Sequence, residues 1–474
     1  MIKEECGIFG IYSKNNKENS EPVYDVYNAL LTLQHRGQVS AGIAVSKDGE
    51  VTDYCAGGLV SEVFPKSRLE DLASIKSPDM ILGHVNNNTN FDGVHSQPLA
   101  MRYLKGSLTI ASNGSLVNSY ELKELLEKDG AIFQTDMDAE IIAYLIATKR
   151  IESSSVEEAI KKIMPLLQGS FSFVVMTPHK MIGVRDPLGM RPLSIGKVGD
   201  SYMISSESST FDIIGGEFIR DVKPGEIFSI RPDNTESLVA MKSDKTAFCA
   251  FEYIYFSGQD SVLNGLSVHK FRYTAGQKLY EQSPIDADIV FGVPDSGIDA
   301  ALGFSSVSGI PFELGFIKNK YIGRTLQDDE LLLTQKAVKI KLCILKSVFK
   351  DKRVVLVDDS IVKGVTIKQL VELIKKAGAK EIHVRITSPP FKFPCYYGTD
   401  LGDPANFLYS KIGGDIKTVA KNIGADSVEY LSIETLKSIS EKASVNICSA
   451  CFDGNYPTKL PFKTEPDKYS VKLS

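Results

Sequence analysis

Apolar and polar positions along the chain follow two rhythms. Through the first 240 or so residues, short apolar runs at 6–12, 42–45, 80–85, 108–111, 171–176, 181–184 and 202–205 alternate with turn-rich joints and predict strands. Between some of them apolar residues recur at helical spacing, at 24–33, 119–128, 137–147 and 156–167. That mixture predicts packed sheets flanked by helices. The second half reads differently. Residues 287–293 form a near-continuous apolar strand, followed by PDSG and a helical stretch at 298–306. A second such strand, 353–357, runs into Asp358-Asp359-Ser360. Ile367, Leu370, Val371, Ile374 and Ala377 then follow helical spacing, Gly378 is placed to end that helix, and 381–387 is the next strand. Strand, loop, helix, strand is the crossover of a parallel sheet, whose ligands bind at the carboxyl ends of the strands. The polar stretch 231–246 is the best linker candidate.

Composition narrows the class. At 474 residues the chain exceeds one ordinary core, so two domains are expected. The balance of 54 basic and 59 acidic residues, net −5, gives no electrostatic case for nucleic acid or an anionic membrane as a partner. No apolar run approaches the roughly 18 residues that span a bilayer. The opening MIKEECGIFG has too short an apolar stretch for a signal peptide. Seven cysteines are too few, and odd in number, for a disulfide scaffold. A cytoplasmic protein is expected.

Three groups of residues carry chemistry. In DDSIVKGVT, at 358–366, two carboxylates at a strand end suit ribose hydroxyls or Mg²⁺. Ser360, Gly364 and Thr366 approach a helix N-terminus, whose free N–H groups favour a phosphate. The plain alternative is an acidic loop with a helix cap. Cys6 stands in an apolar strand, where a buried, inert thiol is the usual case. Cys448-x-x-Cys451 has a metal-ligand spacing, equally that of a redox pair, and Cys249 and Cys395 bring the thiols to four. Zinc and an iron–sulfur cluster both take four thiolates, and spacing does not choose between them. Six scattered histidines show no metal spacing, so His35, His84 and His95 are read as structural. The Tyr253, Tyr255 and Phe256 stripe is read as core, and Cys55 and Cys343 as packed.

VVLVDDSIVKGVT resembles the signature of type I phosphoribosyltransferases. With GVPDSG at 292–297 and IKNKYIGRT at 317–325, it resembles the glutamine phosphoribosyl-diphosphate amidotransferases. CGIFG at 6–10, LQHRGQVSAGI at 33–43, SNGSL at 112–116 and RDPLGMRPL at 185–193 recur in order in that family, so the resemblance spans nearly the whole chain. It implies an α/β and α+β two-domain fold. An N-terminal-nucleophile glutaminase, an αββα sandwich over 6–240, would precede a type I phosphoribosyltransferase parallel-sheet domain over 247–474. Residues 1–5 would be a propeptide removed to make Cys6 the N-terminal nucleophile. Asn113 and Gly114 would form the oxyanion hole, and Asp138 would hold the glutamine α-ammonium. Asp358 and Asp359, with Ser296, would surround Mg²⁺–diphosphate and ribose beside Ser360. Lys363, Gly364 and Thr366 would cradle the 5′-phosphate, and Arg324 and Thr325 would begin a loop that closes over the substrate. Ammonia from glutamine would attack C1 of phosphoribosyl diphosphate, the step that opens purine synthesis. One branch of the family holds a [4Fe–4S] cluster, which assigns Cys249, Cys395, Cys448 and Cys451 as its ligands. Purine nucleotides as inhibitors and a homo-oligomer, dimer or tetramer, are also implied.

The chain departs from the family at several positions. Asn86 stands where the family has an arginine that grips the glutamine α-carboxylate, and losing such a pair in a desolvated site costs about 2–5 kcal/mol. TDMDAE differs from the family run at two positions beside Asp138. Lys363-Gly364-Val365-Thr366 replaces Arg-Gly-Thr-Thr, losing a hydroxyl donor and a bidentate fork. The loop after Thr325 adds Asp328, Asp329 and Glu330. Two alternatives follow: a paralogue using free ammonia or another amine donor, and a catalytically silent iron–sulfur homologue with a regulatory role.

Overall fold

The computed structural model describes residues 6–13, 22–87, 96–319 and 342–460. Two antiparallel sheets build the first half. In the first, seven strands run in the order Glu217–Asp221, Ser194–Val198, Ser201–Ser205, Gly7–Tyr12, Met80–Asn86, Ser40–Lys47, Glu50–Gly57. In the second, six run Thr235–Val239, Glu226–Ile230, Lys180–Arg185, Gly169–Thr177, Gly106–Leu116, Leu99–Tyr103. Period-two alternation turns Ile8, Tyr12, Met80 and Leu82 of the first sheet onto Ala111, Val174 and Met176 of the second, forming the middle layer of the core. The opposite face of the first sheet packs on the helix Pro22–Thr32 and its neighbours. The second sheet's outer face packs on Ser119–Lys128, Asp138–Ile151 and Val156–Ile163. This is the αββα sandwich that the resemblance implies.

The polar stretch read as a linker is partly structured, because Thr235–Val239 closes the edge of the second sheet against Glu226–Ile230. Its exposed, alternating side chains hide it from a search for apolar runs.

A parallel four-stranded sheet follows, ordered Ile289–Gly292, Arg353–Asp358, Glu381–Ile386, Ser427–Tyr430. One face packs on the helices Val268–Gln282 and Ser296–Ser308, the other on Val365–Lys376 and Ile416–Ile423. Tyr253 and Phe256 are fully buried in the first of these cores with Tyr255 packed against it, so the aromatic stripe is core as read.

Buried charge joins the two halves. Arg36 lies between Glu207 and Glu252, bonding both, and Arg191 reaches Glu252 from the other side at 3.4 Å. All four side chains are essentially inaccessible to solvent. Each carboxylate is held below its usual range despite burial, by the guanidinium groups around Glu252 and by His35 and Arg36 at Glu207. A surface reading of these charges misses the network; the signal is a lone Glu252 inside the apolar run FCAFEYIYF.

Candidate active sites

The Cys6 end of the sandwich is set by strand register. Gly7 pairs with Val85 and Ile8 with His84, so Cys6 emerges beside Asn86, and its thiol donates to Asn86 Oδ1 at 3.3 Å. His84 reaches across the sandwich, its Nε2 3.1 Å from the Ser112 carbonyl, and burial pushes its imidazole down to about 4. It is neutral and structural, as read; His35, bonded to the Thr32 carbonyl and Glu207, is structural too. His95 lies outside the described residues.

That cross-strut brings the strand carrying Asn113 and Gly114 over the nucleophile strand. Asn113 is buried, and neither its amide nitrogen nor its amide oxygen has a partner among the described residues. A buried amide left unsatisfied costs free energy, so a group of this kind fits a catalytic or ligand-binding role. Gly114 has φ +116°, and a Cβ there would lie 2.4 Å from the Ser170 carbonyl oxygen; only glycine fits. Asp138 opens the helix Asp138–Ile151 and accepts the Leu116 N–H at 2.8 Å, two residues beyond Gly114. The TDMDAE turn is folded by Glu140, whose carboxylate takes the Gln134 and Thr135 N–H groups and the Thr135 hydroxyl. Cys6, Asn86, Asn113, Gly114 and Asp138 are thus gathered at one end of the sandwich.

The second site lies at the carboxyl end of the parallel sheet. Asp358 and Asp359 end the strand Arg353–Asp358, both nearly buried. Ser296 donates to Asp359 at 2.5 Å and Ser360 at 2.6 Å, while the Asp359 N–H donates to Asp358 at 2.9 Å. Burial raises both carboxyls above the ordinary range, and at Asp358 the neighbouring charge of Asp359 adds to it. A buried pair of hard oxygen donors short of positive charge fits a divalent cation. Gly364, at φ +77°, starts the helix Val365–Lys376, with its absent Cβ facing Leu408 at 2.5 Å. Lys363 and Thr366 stand exposed around that helix start, where free N–H groups favour an anion. Arg324, Thr325, the acidic residues 328–330 and the segment 1–5 lie outside the described residues.

Sequence reasoning missed Arg272. It is buried beneath this site, donates to the carbonyls of Tyr253, Tyr255 and Ser257, and lies within electrostatic reach of Asp359. Its signal is a core position in the helix Val268–Gln282, where Val268, Phe271, Ala275, Gly276 and Leu279 are the other buried residues.

The four cysteines share one cavity. Cys249, Cys395, Cys448 and Cys451 line it with Met190, Phe251 and Phe391. Phe248–Cys249 pairs in parallel with Ile447–Cys448, which sets Cys249 beside Cys448. Burial pushes the Cys448 thiol up to about 12 and Cys451 well above its usual value, with the other three sulfurs raising Cys451 further. Thiols that raise one another in this way fit a positively charged metal centre. Among the described residues no group of three His, Cys, Asp or Glu side chains converges to seat a single ion. The expectation that Cys343 is packed fails, because it is exposed on the short strand Leu342–Ile344; Cys55 is partly buried.

Known proteins resemble both halves of the chain. A family model described as a glutamine amidotransferase domain matches residues 91–212, and one described as a phosphoribosyl transferase domain matches 269–387. An amidophosphoribosyltransferase of Bacillus subtilis is 41% identical over 97% of this chain and 95% of its own. One of Methanothermobacter thermautotrophicus is 39% identical over 97% and 96%. A solved glutamine phosphoribosylpyrophosphate amidotransferase from B. subtilis, complexed with ADP and GMP, superposes with a TM-score of 0.88 at 40% identity, covering 97% of this chain and 99% of that one. The two-domain architecture and this likeness over almost the full length place the chain in the amidophosphoribosyltransferase family.

Proposed function

We propose that the chain makes phosphoribosylamine from phosphoribosyl diphosphate, with glutamine as nitrogen donor, through the residues gathered at the two sites. The observation that carries the glutaminase half is the unspent amide of Asn113 beside Gly114, across from Cys6. Cys6 Sγ attacks the glutamine side-chain amide, and the Cys6 α-amino group, once residues 1–5 are removed, takes the thiol proton and returns it to the leaving ammonia. Asn113 Nδ2 and the Gly114 N–H receive the charge that develops on the amide oxygen. Asp138 binds the α-ammonium.

At the sheet end, Asp358 and Asp359 hold the ribose hydroxyls and, with Ser296, Mg²⁺. Bound Mg²⁺ supplies charge neutralisation on the departing diphosphate. Lys363, Gly364, Thr366 and the helix start fix the 5′-phosphate, while Arg324 and Thr325 cover the substrate. The nitrogen lone pair of ammonia forms the bond to C1 as the C1–O bond to diphosphate breaks.

Cys249, Cys395, Cys448 and Cys451 hold a [4Fe–4S] cluster in this reading, supported by four thiols standing around one apolar cavity. A cluster there has a structural role, tying the C-terminal segment to the domain junction. Purine nucleotides act as inhibitors, and the chain assembles with copies of itself; the nucleotide complex of the B. subtilis relative supports the former. Among the described residues no helix is long and apolar enough to cross a membrane.

Asn86 favours a second reading, because an uncharged amide engaged with Cys6 stands where the family places an arginine. In that reading free ammonia is the better donor. The deciding measurement is phosphoribosyl-diphosphate-dependent diphosphate release by anaerobic protein, with glutamine and ammonia in parallel, alongside intact mass and iron and sulfide content. Release with both donors, from a chain beginning at Cys6, is expected. Ammonia alone would establish the second reading, and no release from folded protein would overturn both. Zinc in place of iron would overturn the cluster.

A further inference from the structure

We infer that Ser170 and the Tyr397 peptide form a strut that positions the strand end carrying Asn113 and Gly114 against the cysteine-lined cavity. The inference rests on the reading of Asn113 and Gly114 as the oxyanion donors. Three consecutive hydrogen bonds make the strut. The Ser115 N–H donates to Ser170 Oγ at 3.2 Å, the Ser170 hydroxyl donates to the Tyr397 carbonyl at 2.8 Å, and the Tyr397 N–H donates to Cys395 Sγ at 3.3 Å. Ser170 is fully buried, and its hydroxyl spends its one proton and a lone pair on these contacts.

The position of the clamp matters. Gly114 is the residue with the most backbone freedom in this strand end, and it adopts φ +116°. Fixing the Ser115 N–H fixes the peptide plane on the C-terminal side of Gly114. The Ser170 backbone lies close on the other side, where a Cβ on Gly114 would approach its carbonyl oxygen to 2.4 Å and its Oγ to 2.8 Å. The plane after Gly114 and the space around its φ are thus both set by Ser170, which adds to the pairing of Gly114 with Phe171 in holding the peptide that carries the Gly114 N–H. An oxyanion donor must be aimed before the charge appears, because reorganisation during reaction forfeits its benefit.

The far end of the strut is the wall of the cavity. Tyr397 packs with Val117 and Met190 in one apolar cluster, against Cys395 and Cys448. Arg191, itself lining the cavity, donates to the same Tyr397 carbonyl that Ser170 uses. Asp186 folds the RDPLG turn by accepting the Leu188 and Met190 N–H groups, and so delivers Arg191 to that carbonyl. Ser170 and Tyr397 are positioning residues in this arrangement, acting through Gly114. The glutaminase donors depend on the cavity wall, while the strand end at Asp358 lies on a separate sheet with no part in the strut.

The test is Ser170→Ala in the full chain, prepared anaerobically beside Ser170→Thr, which keeps the hydroxyl. Glutamine-dependent diphosphate release is expected to lose about tenfold or more in kcat, against the roughly hundredfold of a deleted donor, with the KM for glutamine unchanged. Ammonia-dependent release and metal content are expected to stay at their wild-type values, and Ser170→Thr to recover most of the glutamine rate. A parallel fall with both donors, or an unchanged glutamine rate, overturns the strut. Asn113→Ala separates the two readings: if it keeps the glutamine rate, the oxyanion assignment itself fails. If it is inactive while Ser170→Ala is unaffected, only the strut fails. Should Ser170→Ala not fold, amide exchange in Cys395→Ala decides, whatever metal the chain carries. Exchange across 112–117 is expected to speed several-fold over wild type, and unchanged exchange overturns the inference.

Discussion

At the sandwich end Asn113 holds a buried, unspent amide, and Gly114 is fixed by backbone packed too closely to admit a side chain. At the sheet end Asp358 and Asp359 are buried carboxyls raised above their ordinary range by burial, and the charge of Asp359 raises Asp358 further. The first site is organised in advance by neutral donors and hydrogen bonds that cost nothing to aim at the moment of reaction. The second, in the proposed reading, is an electrostatic arrangement that a cation and a polyanion would complete together. Chemistry that stabilises a transient oxyanion needs rigidity, whereas chemistry that grips diphosphate gains from a site that charges fully only when its ligand arrives.

The largest expected effect separates the two ends outright. Cys6→Ala should abolish glutamine-dependent diphosphate release by about a thousandfold or more, leaving ammonia-dependent release intact. Asp359→Asn should lower both equally, by about a hundredfold, since it removes a partner of the shared acceptor substrate. Steady-state diphosphate release with each donor reads both. If Cys6→Ala also removed the ammonia rate, the two ends would be one cooperative unit and the contrast would break.

Much of this contrast was legible in the chain. Apolar runs marked the strands beneath both sites, and the helical spacing of Ile367, Leu370, Val371 and Ile374 marked the helix that the phosphate loop feeds. Short motifs named Cys6, Asn113 and the Asp358–Asp359 pair. What stayed hidden depends on partners distant in sequence. Arg36 bonds Glu252 across 216 residues, and Ser170 bonds Tyr397 across 227. A serine that bridges two domains looks like any serine in an alternating strand. The strand Glu50–Gly57 was missed because its side chains are exposed or only partly buried, leaving no apolar run to find.

The buried charge network between the halves sharpens the comparison through pH. Glu207 and Glu252 have folded values below their unfolded ones. Their contribution to stability is therefore present above the unfolded value of about 4.5 and is lost as pH falls below it towards the folded values. Glu252→Gln leaves Arg36 and Arg191 without a full counter-charge, at a cost of about 3–5 kcal/mol near neutrality. Thermal midpoints at pH 5 and pH 3 check this. The wild type should fall steeply between them, and Glu252→Gln should start lower and fall less. Equal slopes would show that the network contributes nothing to the acid limb.

The smallest expected effect concerns the contact between Cys6 and Asn86. Asn86 Oδ1 accepts the Cys6 thiol proton, and an acceptor for S–H stabilises the thiol over the thiolate that reacts. A single neutral hydrogen bond of this kind is worth about 1 kcal/mol, which corresponds to about a fivefold change. Asn86→Ala should accordingly speed alkylation of Cys6 by iodoacetamide a few-fold at fixed pH, with Cys6→Ala as the blank. Ammonia-dependent diphosphate release should not change, because Asn86 ends a strand of the sandwich, paired with Ser40, and not of the parallel sheet. The KM for glutamine tells what else Asn86 does. An unchanged KM would confine its action to the thiol, and a raised KM would mean that the amide also binds the substrate in place of a charged group. Slower alkylation would reverse the argument, making Asn86 a group that favours the reactive thiolate, and the sandwich end would then be tuned by charge as the sheet end is.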